Sequence, residues 1–203
     1  MINGSAIGVY GTPGSQLLTE DSPAGSDFLA GVVTDWERAA LDAAAFTRVV
    51  LLRSGVVLSK DGGALPQLAM PFRLFVGGRV GSGEQYVSWI HRLDWLAMVE
   101  WAIFNDGVSG ALNATAPNPV TNAQLAAALG TELRRPSSVP APAFAVRLAL
   151  GEMADAAILN GQRVLPAKAQ ALGFRFHYPT IDGALHAIYG KPSQSPAHLT
   201  FDP

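Results

Sequence analysis

The run Val49-Val50-Leu51-Leu52 decides the fold class of this chain of 203 residues. A continuous stretch of β-branched and aliphatic residues is typical of a parallel strand that is covered on both faces. The stretch Ile2–Tyr10 predicts a second short buried strand, which runs into the turn Gly11-Thr12-Pro13-Gly14. Two such strands near the start of the chain indicate an α/β protein.

A helix is predicted between these two strands. Apolar and small residues recur at steps of three and four from Phe28 onward, which is typical of one buried helical face. Ser26 and Asp27 are suitable caps for its start. Strand, helix and strand form one βαβ unit, whose crossover is expected to be right-handed. The residues of the predicted buried face are Phe28, Val32, Trp36, Ala39, Ala40 and Ala43.

The composition of the chain excludes several classes of function. Hydrophobic residues make up 49% and charged residues 15%, which is typical of a packed globular protein. The net charge of −2 gives no electrostatic footprint for nucleic acid or an anionic membrane. The absence of cysteine excludes disulfides and thiolate chemistry. No apolar run approaches the roughly 18 residues of a membrane span, and no signal-peptide pattern opens the chain, so we expect a cytoplasmic location.

The sequence pattern changes after Asp61-Gly62-Gly63. A glycine-rich stretch, Gly77–Gly83, precedes a strand predicted over Tyr86–Ile90. Thr121 and Gln124 have the spacing of a capping box, which predicts a helix that begins there. Short strands mixed with helices indicate an α+β arrangement in this part of the chain.

Three short segments carry a resemblance to a known family. Asn3–Gly11 is similar to a strand-end motif, Ser-Ser-x-x-Val-Tyr-Gly. Leu51–Leu58, followed by Asp61-Gly62-Gly63, is similar to a core strand and a cofactor-facing loop. Gly81–Asp94 is similar to a Gly-x-Gly…Ile-His-x-x-Asp passage of a substrate domain. In order and spacing, the three together resemble the extended short-chain dehydrogenases/reductases, the family of NAD-dependent epimerases and dehydratases.

The resemblance implies a fold and a function. The expected fold is α/β, a truncated Rossmann-like parallel sheet with a smaller α+β C-terminal substrate domain. Residues 1–62 would be the C-terminal remnant of the NAD(P)-binding domain, residues 63–190 the substrate domain, and residues 191–203 a flexible tail. The stretch Pro140–Ala184 resembles one subfamily of nucleoside-diphosphate-sugar epimerases. The implied function is that of an NAD(P)-dependent nucleotide-sugar epimerase or dehydratase of unknown substrate.

The cofactor-binding half of that family is expected to be absent. No glycine pattern of the Gly-x-Gly-x-x-Gly kind follows a strand and opens a helix, and Met1 falls almost on a core strand of the expected sheet. Roughly 100 residues of a mononucleotide-binding half would then be missing. The resemblance therefore implies NAD or NADP in a full-length parent, with none bound by this chain alone. We expect the chain to be marginally stable, to self-associate through its exposed sheet edge, or to need a partner that supplies the missing strands.

The residues that carry the family reaction are not all present. The resemblance implies a tyrosine held as phenolate by a lysine four residues later, so that the phenol exchanges a proton while hydride moves. Alignment on Trp36-Glu37 puts Leu29 at the tyrosine position and Val33 at the lysine position, and neither side chain transfers a proton. This departure leaves a second hypothesis open, a non-catalytic ligand-binding or protein-interaction member of the same fold.

Two candidate catalytic residues remain near the first strand. Ser5 is the candidate for the serine that orients a substrate oxygen, although a shift of one residue would place Ala6 there. The structural alternative is a serine that bonds to backbone at a strand end. Tyr10 is the candidate phenol near a nicotinamide, and its alternative is a packed aromatic residue.

The cofactor-facing candidates are Arg53, Ser54, Gly55 and Val56, which match the loop that lines the nicotinamide in the family. Arg53 suits a phosphate or carboxylate as a bidentate donor, and a structural ion pair is the equal alternative. Gly55 would permit close approach of the backbone.

The candidate substrate-binding residues are Gln85, Ser88, His91 and Arg163. Family members place an arginine where this chain has Val87. His91 has a structural alternative, a hydrogen-bonded histidine. Asp94 is predicted to cap the helix that follows it. The four histidines lack metal-ligand spacing, so no metal site is predicted.

Overall fold

The computed structural model describes residues 1–141 and 161–190. Its strands are β1 (Ile2–Ala6), β2 (Leu17–Leu18), β3 (Val50–Ser54), β4 (Val56–Leu58), β5 (Tyr86–Val87), β6 (Trp89–His91), β7 (Gly110–Ala114), β8 (Val120–Thr121) and β9 (Arg163–Val164). Its helices are α1 (Phe28–Leu41), α2 (Leu65–Arg73), α3 (Arg92–Phe104), α4 (Asn122–Leu133), α5 (Ala167–Ala171) and α6 (Ile181–Tyr189). The predicted tail at 191–203 lies outside the described residues.

The main sheet confirms the predicted α/β class. Its strands run parallel in the order β1-β3-β7. The register places Ser5 beside Arg53 and Arg53 beside Asn113, so the carboxyl ends of all three strands meet at one edge. This edge is where ligands bind in open parallel sheets.

Both faces of the central strand β3 are covered, as the run at 49–52 predicts. Leu51 packs with Ala40 of α1 on one face, and Leu52 packs with Met98 and Ala102 of α3 on the other. Successive residues of a strand point to opposite faces. Arg53 therefore lies on the face of Leu51, toward α1.

Helix α1 begins at the predicted place, because the Asp27 side chain accepts a hydrogen bond from the backbone N–H of Ala30 at 2.9 Å. The prediction of its buried face is correct at Ala40 but wrong at most of the other residues. The buried residues include Ala30, Val33 and Glu37, whereas Phe28 is 82% exposed and Trp36 is 57% exposed. A stripe with helical period predicts which residues share a face, but it does not decide which face meets the sheet.

The short sheets fasten the later part of the chain to the main sheet. β4 pairs with β6 in parallel, β2 pairs with β9 in parallel, and β5 pairs with β8 in antiparallel fashion. The strand predicted over Tyr86–Ile90 is divided at Ser88 into β5 and β6. The capping box of α4 is confirmed, with Thr121 Oγ1 accepting from the Gln124 N–H and Gln124 Oε1 accepting from the Thr121 N–H.

The division predicted at residue 62 does not coincide with the main sheet. β7, at residues 110–114, supplies the third strand of that sheet from beyond the predicted boundary. The three predicted segments stay a prediction.

Candidate functional site

A buried ion pair lies at the carboxyl edge of the main sheet. Arg53 Nε donates to Glu37 Oε1 at 2.8 Å, and Arg53 Nη2 donates to Glu37 Oε2 at 2.7 Å, so the pair is bidentate. Ser5 Oγ donates to the same Oε1 at 2.6 Å. Of the two side chains, Glu37 is 8% exposed and Arg53 is 12% exposed.

The same network continues to β7 through a phenol. Arg53 Nη1 donates to Tyr10 Oη at 2.9 Å, and Tyr10 Oη donates to Asn113 Oδ1 at 2.8 Å. Tyr10 is 3% exposed. One chain of hydrogen bonds thus joins α1 to all three strands of the main sheet, and we name Ser5, Tyr10, Glu37, Arg53 and Asn113 the edge network.

The protonation of the edge network follows from its surroundings. Burial opposes ionisation of Glu37, but hydrogen bonds from Arg53 and Ser5 outweigh it and lower the pKa of Glu37 below its ordinary value. Burial raises the pKa of the Tyr10 phenol, although Arg53 and Asn113 act in the opposite direction. At neutral pH the network therefore holds a carboxylate, a guanidinium and a neutral phenol.

The segment 161–165 covers the edge network. Asn113 Nδ2 donates to the Leu165 carbonyl at 3.0 Å, and Thr115 Oγ1 donates to the Val164 carbonyl at 3.4 Å. Gln162 Nε2 donates to the carbonyl of Gly11. The carboxyl ends of β1 and β7 are thereby closed by backbone from a distant part of the chain.

The two predicted catalytic residues lie inside the edge network. The Ser5 hydroxyl donates to the Glu37 carboxylate, so Ser5, and not Ala6, supplies the polar contact at the end of β1. Tyr10 is held between Arg53 and Asn113. The alternative stated for Ser5, a bond to backbone, is not observed, because its partner is the Glu37 carboxylate. Tyr10 is a packed aromatic residue, as its alternative stated. A catalytic role for either residue stays a prediction.

The four predicted cofactor-binding residues are engaged with protein groups. Arg53 forms an ion pair with Glu37, which is the structural alternative to a ligand-binding role. Ser54 Oγ accepts from Trp95 Nε1 at 2.9 Å, and the N–H groups of Gly55 and Val56 donate to backbone carbonyls. A Cβ at Gly55 would lie 2.5 Å from the Ser88 carbonyl oxygen. These contacts hold the segment to the protein, and a cofactor-binding role for the four residues stays a prediction.

Three of the four predicted substrate residues also have protein partners. Gln85 Nε2 donates to the Val80 carbonyl at 3.0 Å, and Ser88 Oγ donates to the Gln162 carbonyl and accepts from the Val164 N–H. His91 is buried, and its Nδ1 accepts from the Leu93 N–H at 3.1 Å. Burial lowers the pKa of His91, against the effect of Asp94, so the ring is neutral at pH 7.

The fourth predicted substrate residue, Arg163, differs from the other three. Its guanidinium carbon lies 4.9 Å from the centroid of the Tyr86 ring. Its Nε is buried and has no hydrogen-bond partner within residues 1–141 and 161–190. Arg163 thus retains a donor that protein groups in the described part of the chain do not use.

The prediction that Asp94 caps α3 is wrong. His91 is the residue that precedes the helix and caps it, whereas Asp94 lies in the first turn and is 0% exposed. Its Oδ1 accepts from the His177 N–H at 2.8 Å, and its Oδ2 accepts from the Tyr178 N–H at 2.9 Å. Asp94 therefore fastens a late segment of the chain to α3.

The positions of the family tyrosine and lysine carry no proton-transfer group. Val33 packs in an apolar cluster with Val9, Tyr10 and Val164, and Leu29 is partly exposed. Among the described residues, no group of three or more His, Asp and Glu side chains is arranged to hold a metal ion. Within the same residues, no helix is long and apolar enough to cross a membrane.

Sequence reasoning missed Glu37 as the centre of the edge network. A signal for it exists, because Glu37 is four residues after Val33 and three before Ala40, in phase with the face that is buried. An acidic residue in that phase needs a buried cation, and Arg53 at the end of β3 is the available one.

The fold and this edge define a Rossmann-like α/β protein. The chain is 44% identical over 195 residues to the epimerase family protein ML0860 of Mycobacterium leprae, covering 96% of this chain and 64% of that protein. Residues 141–188 match a family model described as a domain of unknown function, DUF1731. The chain spans 54 to 64% of the length of the curated relatives it matches.

Solved structures agree with the sequence relatives. The human epimerase family protein SDR39U1 (isoform 2), crystallised with NADPH, superposes with a TM-score of 0.84 at 35% identity, over 93% of this chain and 64% of that one. A nucleoside-diphosphate sugar epimerase from Corynebacterium glutamicum gives 0.77 at 39% identity, over 94% and 37%. These likenesses support the epimerase family of short-chain dehydrogenases/reductases that the sequence resembles.

Proposed function

We propose that this chain supplies the substrate side of an NAD(P)-dependent epimerase-like protein that acts on a nucleotide sugar. The observation that carries the proposal is the carboxyl edge of the main sheet, where β1, β3 and β7 meet segment 161–165. Open parallel sheets bind their ligands outside this edge. The likeness to proteins named as epimerases, one of them crystallised with NADPH, supports the same proposal.

The edge network has a positioning role in this proposal. Arg53 and Glu37 neutralise each other and hold the ends of β1 and β3 in a fixed register, and Asn113 extends the hold to segment 161–165. No catalytic step is assigned to Ser5 or Tyr10, because both hydroxyls are committed to buried partners. The assignment of residues 53–56 to cofactor binding stays a prediction for a protein that contains the cofactor-binding half.

A second candidate is a ligand-binding or interaction protein without catalysis. Leu29 and Val33 favour it, since they stand where the family's phenol and ammonium would transfer the proton. The apolar contacts of Val33 with Val9 and Tyr10 leave no room for an ammonium at that point without loss of packing.

We expect NADPH and NADH to leave the melting temperature of this chain unchanged, because no glycine turn of the Gly-x-Gly-x-x-Gly kind, which holds the pyrophosphate in this fold, opens a helix within its 203 residues. A longer chain that continues upstream in the natural reading frame should be stabilised by about 2.7 kcal/mol at a cofactor concentration of 100 times Kd. Thermal-shift titration of both chains measures this. Stabilisation of the short chain would contradict the expectation that cofactor binding needs the glycine turn, and stabilisation of neither chain would favour the non-catalytic candidate.

We also propose that the chain self-associates beside β1, as its sequence predicts. β1 ends the strand order β1-β3-β7 of the described residues, and α1, which packs next to it, exposes Phe28, Val32 and Trp36. An open strand edge beside apolar side chains favours association. Light scattering over a range of concentrations should give a rising mass, and Trp36→Lys should reduce that rise. A constant monomer mass would exclude this proposal.

The cytoplasmic location stays a prediction.

A further inference from the structure

Arg163 is a partly buried cation, and its buried Nε forms no hydrogen bond with the described residues. Its Nε has no partner within residues 1–141 and 161–190, and no carboxylate of those residues forms an ion pair with it. Arg53, the other guanidinium at this edge, makes three hydrogen bonds. Buried polar groups are nearly always satisfied, so an orphaned guanidinium nitrogen needs an explanation.

The position of Arg163 is fixed by its backbone. β9 pairs with β2 in parallel, with Arg163 opposite Leu17. On the other side, the Gln162 N–H donates to the Tyr86 carbonyl at 3.2 Å, and the Val164 N–H donates to Ser88 Oγ at 2.8 Å. The strand that carries Arg163 is therefore held on both sides, which fixes the backbone from which its side chain extends.

Tyr86 provides a platform for this guanidinium. The guanidinium carbon of Arg163 lies 4.9 Å from the ring centroid, within the range of a cation–π interaction. The Tyr86 ring is thus an aromatic neighbour of the guanidinium, whose N–H groups lie in the guanidinium plane. Planar N–H groups of this kind suit a carboxylate or a phosphate.

Val87, the residue that follows Tyr86 in β5, lies in an apolar environment. Val87 packs against the cluster of Trp89, Leu125 and Leu129. Tyr86 and Val87 are successive residues of β5, so their side chains point to opposite faces. Arg163 lies on the face of β5 that carries the Tyr86 side chain, opposite to the apolar cluster.

We propose that Arg163, stacked on Tyr86, binds the oxyanion of a small-molecule ligand at the carboxyl edge of the main sheet. The ligand group is a phosphate or a carboxylate. This inference deepens the proposed function and rests on it for the ligand being a small molecule at this edge.

Titration by nuclear magnetic resonance tests the proposal directly. A buried Nε–H without a partner gives a distinct arginine side-chain resonance, which we assign by its loss in Arg163→Gln. Uridine diphosphate, inorganic phosphate and acetate are the probes, at matched ionic strength. We expect the Arg163 resonance to shift saturably with at least one of them; the two phosphate probes against acetate distinguish a phosphate site from a carboxylate site.

Matched variants decide whether the binding belongs to Arg163. Arg163→Gln should weaken binding of the active probe at least tenfold, whereas Arg175→Gln, which removes an exposed positive charge, should leave it unchanged. Arg163→Lys should also weaken binding, because lysine lacks the planar fork. No saturable shift with any probe, or equal losses in the Arg163 and Arg175 variants, would overturn the proposal.

A stability measurement separates a ligand role from a structural one. Without ligand, Arg163→Met should melt at the same temperature as the parent chain or higher, because the change removes an unpartnered buried donor. A large fall in melting temperature would show that Arg163 serves the fold and would count against the proposal. None of the probes contains nicotinamide, so failure to bind NADPH and failure of the Arg163 site are separate results.

Discussion

Replacing Glu37 by glutamine is expected to lower the free energy of unfolding by about 3–5 kcal/mol, because it leaves the Arg53 guanidinium buried without its counter-charge. Glutamine also cannot accept both of the Arg53 hydrogen bonds that the two carboxylate oxygens now receive. Urea denaturation at pH 7 measures the loss. A change below about 1 kcal/mol would show that water reaches the pair and that the edge network does not fix the sheet.

A control for this prediction lies on the same helix. Asp35 and Arg38 form an exposed ion pair at 2.7 Å, with side chains that are 73% and 71% exposed. Asp35→Asn should cost only a few tenths of a kcal/mol, because solvent screens such a pair. The contrast between the two variants isolates burial as the cause, since both changes remove one carboxylate from α1.

The cost of Glu37→Gln should also depend on pH. The lowered pKa of Glu37 means that its contribution is present above the pKa of an unfolded glutamate, which is about 4.3. That contribution is lost as the pH falls through the folded-state pKa. The difference in unfolding free energy between the parent chain and Glu37→Gln should therefore shrink in acid, and a difference that is constant down to pH 2 would contradict the assignment.

Asp94→Ala is expected to lower the free energy of unfolding by about 2–5 kcal/mol, because the N–H groups of His177 and Tyr178 each lose their buried acceptor. The variant should also loosen the segment around residues 174–178. Hydrogen exchange at the two amides would report this loosening, and denaturation would report the overall loss. The free energy of unfolding of Asp94→Asn should lie between those of the parent chain and Asp94→Ala, since an asparagine keeps one acceptor oxygen.

Asp182 provides the matched control for Asp94. Both are acidic residues in the first turn of a helix, Asp94 in α3 and Asp182 in α6, but Asp182 is exposed. Asp182→Ala should cost no more than about 1 kcal/mol, the contribution of an exposed charge near a helix N-terminus. Equal costs for the two aspartates would mean that the backbone contacts of Asp94 contribute little.

Much of the fold could be predicted from local patterns. The strand at 49–52, the Asp27 cap and the capping box at Thr121 each depend on a few neighbouring residues, and the structure confirms all three. The orientation of α1 could not be predicted in this way. Its exposed stripe, which contains Phe28 and Trp36, is more apolar than the face that contains Glu37, and only the tertiary pairing of Glu37 with Arg53 explains the outcome.

The location of the candidate site could be predicted from the sequence, but the contacts within it could not. Ser5, Tyr10 and Arg53 do meet at one edge, because the ends of parallel strands converge. Their partners Glu37 and Asn113 come from other elements, and no local pattern connects them to that edge. The same limit applies to Asp94, where a capping role was the local expectation and the actual partners lie more than eighty residues away.

The parallel order of the main sheet governs how the chain can reach its native state. Ile2 pairs with Val50, and Val50 pairs with Gly110, so neither pairing can start from a hairpin. Two long loops must close before the sheet exists, and topologies dominated by such distant contacts fold slowly. During synthesis, β7 is made after β1 and β3, so the apolar strand β3 lacks one of its two neighbours until then. Chaperones that bind exposed apolar strands have the longest time to act in that interval.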